Sequence, residues 1–153
     1  MFGFWKKKDE LYPKELFQLW KLKDISSFNS IMVNKSLKNY KFSDKFPYHI
    51  RIEILIKEED KFHNNSEIIE KFDDYVLNSM KDNNVWIHFL TRLTVLWSKD
   101  YGFIRIFNFY VNEKEISKEI LSHLQKDENF SIQFWFEINT DKTWSKVQKY
   151  FNW

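Results

Sequence analysis

Apolar and polar residues alternate most regularly over residues 48–56. Ile50, Ile52, Ile54 and Ile56 take one side, and Arg51 and Glu53 take the other. A two-residue period predicts a half-buried strand. Ser131–Ile138 alternates in the same way, with Ile132, Phe134, Phe136 and Ile138 inward and Gln133, Trp135 and Glu137 outward. Between these stretches the period changes. Ile69, Phe72, Val76, Leu77 and Met80 recur at helical spacing behind Ser66, a predicted N-cap with Glu67 and Glu70 in the first turn. Ser117 is expected to cap a shorter helix carrying Ile120, Leu121 and Leu124. Thr140-Asp141 is expected to cap a last helix with Trp144, Val147 and Phe151 on one face.

Val85–Val111 holds two long apolar runs separated by Ser98-Lys99-Asp100 and predicts an antiparallel hairpin. A turn on Lys99-Asp100 pairs Val95 with Ile104 and Leu93 with Ile106. One face would carry Val85, Ile87, Phe89, Leu93, Val95, Ile104 and Ile106. The other would carry Trp86, His88, Leu90, Arg92, Leu96, Phe103, Arg105, Phe107 and Phe109. From Tyr48 onward the order is strand, helix, strand, strand, helix, strand, then a terminal helix. That is the βαββαβ order of a ferredoxin-like α+β sandwich, two helices on one face of a four-stranded antiparallel sheet. Right-handed crossovers place the strands beginning at His49 and Tyr101 in its centre.

Two domains-in-one follow: residues 1–45 as an N-terminal extension packing on the core, and 46–153 as the ferredoxin-like unit. Leu16–Leu22 and Phe28–Leu37, with Lys23–Ser27 as the turn, suggest a β-hairpin in the extension. The sheet face away from the helices collects Arg51, Glu53, Trp86, His88, Leu90, Arg92, Phe103, Arg105, Phe107, Phe109, Trp135 and Glu137. So much apolar surface is expected to be covered or bound. The extension, through Leu16–Leu37, is expected to cover at least part of Leu90, Phe107 and Phe109. Arg92 and Arg105 are expected at the rim, in water or paired with Glu53 or Glu137.

Composition changes this picture in three ways. The 24 basic and 22 acidic side chains leave a net charge of +2, which is no strong nucleic-acid footprint. There is no cysteine, which excludes disulfides and thiolate metal sites. Alanine is absent and glycine occurs twice, against 16 phenylalanines. That bias matches AT-rich coding, so aromatic abundance alone says little about function. No apolar run reaches the roughly 18–20 residues that span a bilayer. Met1–Lys8 has its basic run after its apolar residues, unlike a signal peptide. A cytoplasmic protein is expected, with no stable membrane insertion, although Phe2, Phe4 and Trp5 beside Lys6–Lys8 could brush a membrane surface.

Candidate chemistry is sparse. His49, His63, His88 and His123 have no i, i+4 pairing and no acidic ligand pattern. Two glycines cannot build a phosphate loop, and no Gly-x-Ser-x-Gly elbow occurs. Glu58-Glu59-Asp60 reads as a solvated charge run, and Asp141 before Trp144 as a helix cap. No enzyme, metal or cofactor is expected.

Lys99-Asp-Tyr-Gly-Phe-Ile-Arg-Ile106 resembles the first ribonucleoprotein motif of RNA recognition modules through Lys99, Tyr101, Gly102 and Phe103. It departs at Asp100 and Ile106, and no second motif stands in His49–Ile54. A wider resemblance runs over Asn29–Asn34, Ile50–Ile56, Glu67–Leu77, Phe107-Asn-Phe-Tyr110 and Asp141-x-x-Trp144 with Tyr150-Phe151. On these stretches the chain resembles the bacterial domain of unknown function 695 family, related in fold to the regulator of ribonuclease activity B. Asp24–Ser27 departs from it by lacking the glycine usual in the N-terminal turn. The resemblance implies a ferredoxin-like core and no established catalytic site. The better-known relative acts by binding an endoribonuclease and restraining it.

The expected function is therefore that of a protein-interaction module, a regulator or an immunity-type protein that restrains a partner protein. Trp86, His88, Arg92, Phe103, Arg105 and Trp135 are the candidate partner-binding residues. The alternative is an RNA-binding module using Tyr101, Phe103, Arg105 and Trp135 on the sheet face.

Overall fold

The computed structural model describes residues 17–21, 30–56, 65–98, 102–130 and 132–151, with the backbone alone at 17–21, 30–31, 56, 65–70, 89–98 and 102–103. The expectations for Phe2, Phe4, Trp5, Lys23–Ser27, Glu58–Asp60, His63 and Lys99–Tyr101, and for the side chains of Leu90, Arg92 and Phe103, lie outside the described residues.

Six strands form one antiparallel sheet: β1 (Phe17–Lys21), β2 (Ser30–Asn34), β3 (Tyr48–Ile56), β4 (Ile87–Ser98), β5 (Gly102–Val111) and β6 (Phe134–Thr140). Two long helices, α1 (Asn65–Asp82) and α2 (Lys114–Lys126), and a short α3 (Gln148–Phe151) complete it. The strand order is β1-β2-β4-β5-β3-β6. Its β4-β5-β3-β6 part is the four-stranded sheet of a ferredoxin-like sandwich, with β3 and β5 central as the crossover argument requires. Val95 pairs with Ile104 and Leu93 with Ile106, in the expected register.

The helix-side core follows from the two periods. Ile50, Ile52 and Ile54 of β3 are fully buried against Phe72, Val76 and Met80 of α1 and Leu121 and Leu124 of α2. Phe134 is buried with them, and Ile132, Phe136 and Ile138 pack alongside. Burying one such side chain stabilises the fold by about 1.5–3 kcal/mol. Helix starts differ from expectation. Asn65 already lies in α1, so Ser66 is inside it. The cap of α2 is Glu113, and Ser117 sits one turn in, its hydroxyl donating to the Glu113 carbonyl.

Two corrections concern the hairpin and the extension. Phe107 and Phe109 belong to the helix-side core, not to the far face. The cause is a bulge in β4 at Leu90. Ile87 and Phe89 pair with Val111 and Phe109, but Thr91 pairs with Asn108, so the odd positions of β4 change partners from odd to even. A strictly alternating reading through that point assigns half the hairpin to the wrong side. The extension does not lie across Phe107 and Phe109 either. Its β1-β2 hairpin prolongs the sheet, β2 pairing with β4 from Ser30↔Thr94 to Val33↔Thr91.

Part of the far face is covered instead by the last part of the extension together with the C-terminal stretch. Residues 35–46, which include the 3₁₀ turns Lys35–Leu37 and Ser43–Lys45, meet the C-terminal stretch 141–151. Leu37 and Phe46 from the first and Trp144, Val147 and Phe151 from the second bury Tyr110 and Val33, forming a second core.

Candidate functional site

The second core shows which part of the far face is closed. Trp144 is its keystone: 1% exposed, it stacks on Tyr110 at 4.6 Å and on Tyr40 at 4.8 Å. Its indole N–H donates to the Phe46 carbonyl at 2.9 Å, so the polar end of the ring is satisfied inside. Asp141 turns the chain into this cluster. Its carboxylate accepts from the Tyr110 hydroxyl at 2.6 Å, the Ser145 N–H at 3.0 Å and the Lys146 N–H at 3.0 Å. The helix expected directly after Asp141 does not start there: α3 begins only at Gln148, and Asp141 holds the turns that precede it. Lys35 reaches the other end of that stretch and donates to the carbonyls of Tyr150 and Phe151.

Electrostatics follow from burial. Asp141 is pushed up by desolvation, but its hydrogen bonds from Tyr110, Lys146 and Ser145 outweigh this and hold it below the usual carboxylate range. Tyr110 is held far above the usual phenol range by burial and by its bond to Asp141. His49, under the same cover, bonds the Asn108 side-chain carbonyl through Nε2 at 2.8 Å. Its Nδ1 is buried without a hydrogen-bond partner. Burial lowers its pKa, against the Asn108 bond and the carboxylates of Asp141 and Glu137, while Lys146 lowers it further.

Among the described residues, the rest of the far face is open along β3 and β6. Along β3 and β6, Glu53 pairs with Trp135 and Arg51 with Glu137. These four side chains rim a shallow concavity of about 320 Å³ floored at Phe136. Trp135 is 50% exposed there. Arg51 and Glu53 form an ion pair at 2.7 Å, reinforced by the Arg51 Nε–H bond to Glu53 at 3.0 Å. Glu53 is therefore engaged by its neighbour on β3.

The predicted site residues scatter. Trp135 stands on the open half. His88 is 7% exposed and lies in the closed half, its Nε2 3.2 Å from the Tyr40 hydroxyl and its ring edge-on to Phe46 at 4.5 Å. Trp86 is exposed at the opposite end of the sheet, where its backbone bonds Asn112. A second concavity of about 480 Å³ opens beside it, between Leu77 and Lys81 of α1 and Ile87. Arg105 pairs with Ile54, a helix-side residue, so it is on the other face from Trp135. Arg92 and Phe103 have register positions opposite Phe107 and Leu96. The four whose side chains are described, Trp86, His88, Arg105 and Trp135, therefore do not form one site. Among the described residues, no group of three or more His, Asp or Glu side chains could hold a metal ion. No helix among them is long and apolar enough to cross a membrane.

Sequence reasoning placed Arg51, Glu53 and Glu137 on this face but did not select them. The clean alternation of β3 and β6 was the signal that joins them to Trp135. It missed Tyr40, Tyr110 and Trp144 as the closing cluster, because the contacts that close it join distant segments, as the Trp144–Phe46 bond does across 98 residues. No family profile, no curated protein and no solved structure matches the chain.

Proposed function

We propose that the protein is a non-enzymatic cytoplasmic interaction module that binds another protein through the open half of its far sheet face and restrains it. It would act as a regulator of an enzyme or as an immunity-type protein that masks a toxin. One observation carries this reading: Trp135 stands half-exposed in a charged concavity, on a chain that buries Trp144 and Tyr110 completely a short way along the same face. Tryptophan with a polar rim is the usual anchor of a protein interface. The resemblance to the domain of unknown function 695 family supports the same role, since its better-known relative restrains an endoribonuclease. We place the chain near that family as part of this proposal.

The test is affinity purification under crosslinking from the native cells, with the wild-type chain and with Trp135→Ala. A partner enriched by the wild type and lost with the variant is expected. Truncating such an anchor weakens binding by about 2 kcal/mol, roughly thirtyfold. Trp135→Ala should melt within about 0.5 kcal/mol of wild type, because the site is at the surface. Recovery of nothing above background would count against the reading. Pooled single-stranded RNA at low salt provides the contrast. Tight, salt-sensitive binding abolished by Phe103→Ala or Trp135→Ala would replace the protein partner with RNA.

A further inference from the structure

β6 is an edge strand, and the hydrogen-bond pattern tells which of its groups face outward. The Leu55 N–H donates to the Gln133 carbonyl at 3.3 Å, one residue before β6 begins. Antiparallel ladders alternate, so the backbone groups of Trp135, Glu137 and Asn139 turn toward β3. Those of Phe134, Phe136 and Ile138 turn away from it. The Phe134 carbonyl agrees: it accepts from the Gln125 side chain of α2 at 2.9 Å. Beyond that point no described group bonds the outward N–H and C=O of Phe136 or Ile138. Natural edges are usually guarded by a lysine, a proline or a bulge. The seven residues of β6 contain neither lysine nor proline, and its pairing with β3 runs without a bulge.

The side chains next to this edge have a definite charge. Arg51 is spent on Glu53 at 2.7 Å. Glu137 is exposed and makes no hydrogen bond or ion pair with the described residues. It adjoins the half-exposed Trp135 ring across the concavity of about 320 Å³. A free carboxylate beside an indole face is a site for a cation, which the ring attracts by its quadrupole and the carboxylate by its charge.

Together these observations point to one occupant. We infer that the outer edge of β6 takes up an extended segment of the partner protein as a seventh strand, and that Trp135 with Glu137 selects a segment carrying a lysine or arginine at that position. The inference rests on the partner-binding role above and names the partner's chemistry. Main-chain bonds to Phe136 and Ile138 would supply affinity, and the cation would supply selectivity. A second copy of this chain does not fit. Its own β6, Phe134-Trp-Phe-Glu-Ile-Asn-Thr140, offers no cation. Antiparallel self-pairing about its middle would also set Glu137 against its own copy, and like charges opposite one another destabilise a ladder.

The experiment titrates the full chain with two synthetic peptides of alternating valine and threonine, one with a central arginine and one with a central glutamate. Amide hydrogen exchange and chemical shifts are read residue by residue. The arginine peptide should slow exchange at Phe136 and Ile138 and bind about fivefold more tightly than the glutamate peptide. Trp135→Ala and Glu137→Gln should each shrink that preference, and Glu137→Lys should reverse it. All three changes are at exposed positions, so the fold is retained. Equal affinity for the two peptides, slowed exchange elsewhere than on β6, or no slowing at millimolar peptide would each overturn the inference. The two readings fail differently. A captured partner that is lost with Trp135→Ala but leaves Phe136 and Ile138 unprotected keeps the binding role and sinks the strand addition. A partner whose capture ignores Trp135→Ala sinks the role of this face itself.

Discussion

Trp144 shows how much one residue can organise. It sits at φ 55°, in the left-handed region that a bulky side chain rarely enters. The position is held because the ring is clamped between Tyr40 and Tyr110 and its N–H is bonded to the Phe46 carbonyl. Trp144→Ala should destabilise the chain by about 3–5 kcal/mol in urea denaturation, as loss of a buried aromatic does elsewhere. Tyr110→Phe should cost about 1–3 kcal/mol, since it removes a donor from the buried Asp141 carboxylate. His49 sets the pH dependence at this scale. Its folded pKa lies below the usual imidazole value, so between the two values the unfolded chain binds the extra proton. Stability is therefore full above about pH 6.5 and falls as pH drops from there through the lowered value. Asp141, also lowered, extends the loss into stronger acid, through the region below its ordinary value. The groups facing His49 are Asn108, Tyr110, Asp141, Glu137 and Lys146. The urea midpoint should drop between about pH 7.5 and pH 5, and His49→Gln should flatten that drop. A midpoint that is flat or rises on acidification in the wild type would contradict this.

At the scale of elements, what could be read in advance depended on how clean each pattern was. β3 and β6 were legible because isoleucine and phenylalanine alternate there with charge, and burial follows that alternation from Ile50 to Ile54 and from Phe134 to Glu137. Phe72, Val76 and Met80 were legible for the same reason at helical period. The β4-β5 pairing was legible from the position of the turn, but not the faces, because both sides of the hairpin are apolar and the bulge at Leu90 leaves no polar signature. The cover was hidden further. Lys38–Lys45 looks like a polar connection, yet residues 35–46 bring Leu37, Tyr40 and Phe46 onto Trp144. This assigns different tasks to the two parts of the extension. Removing residues 1–29 deletes β1 but leaves the cover, and that chain should bind no hydrophobic dye and should not aggregate. Removing residues 1–46 uncovers Tyr110, His88 and Trp144 and should produce dye binding or aggregation. Equal behaviour of the two truncations, whether both sound or both aggregating, would mean that 35–46 is not the cover.

At the scale of the whole molecule, one sheet separates two unlike surfaces. The helix side is a continuous core. The far side is divided crosswise, closed where Tyr110 meets Trp144 and open where Trp135 meets Glu137. Closing one half with segments from both ends of the described chain fixes the cover without blocking the edge strand β6. The division was only partly legible, since the alternation of β6 predicted that Trp135 points away from the core but not that its neighbours on the same face would be sealed. Hydroxyl-radical footprinting of the tagged chain, first in buffer and then in extract of its native cells, tests the division and the binding role together. Trp135 and Trp86 are equally exposed, at 50%, and Trp144 is at 1%, so the three rings report the open half, a reference surface and the closed half. The account predicts that in buffer Trp135 and Trp86 are oxidised and Trp144 is spared, and that in extract Trp135 alone becomes protected. Oxidation of Trp144 in buffer, or equal oxidation of Trp135 and Trp86 in extract, would contradict it.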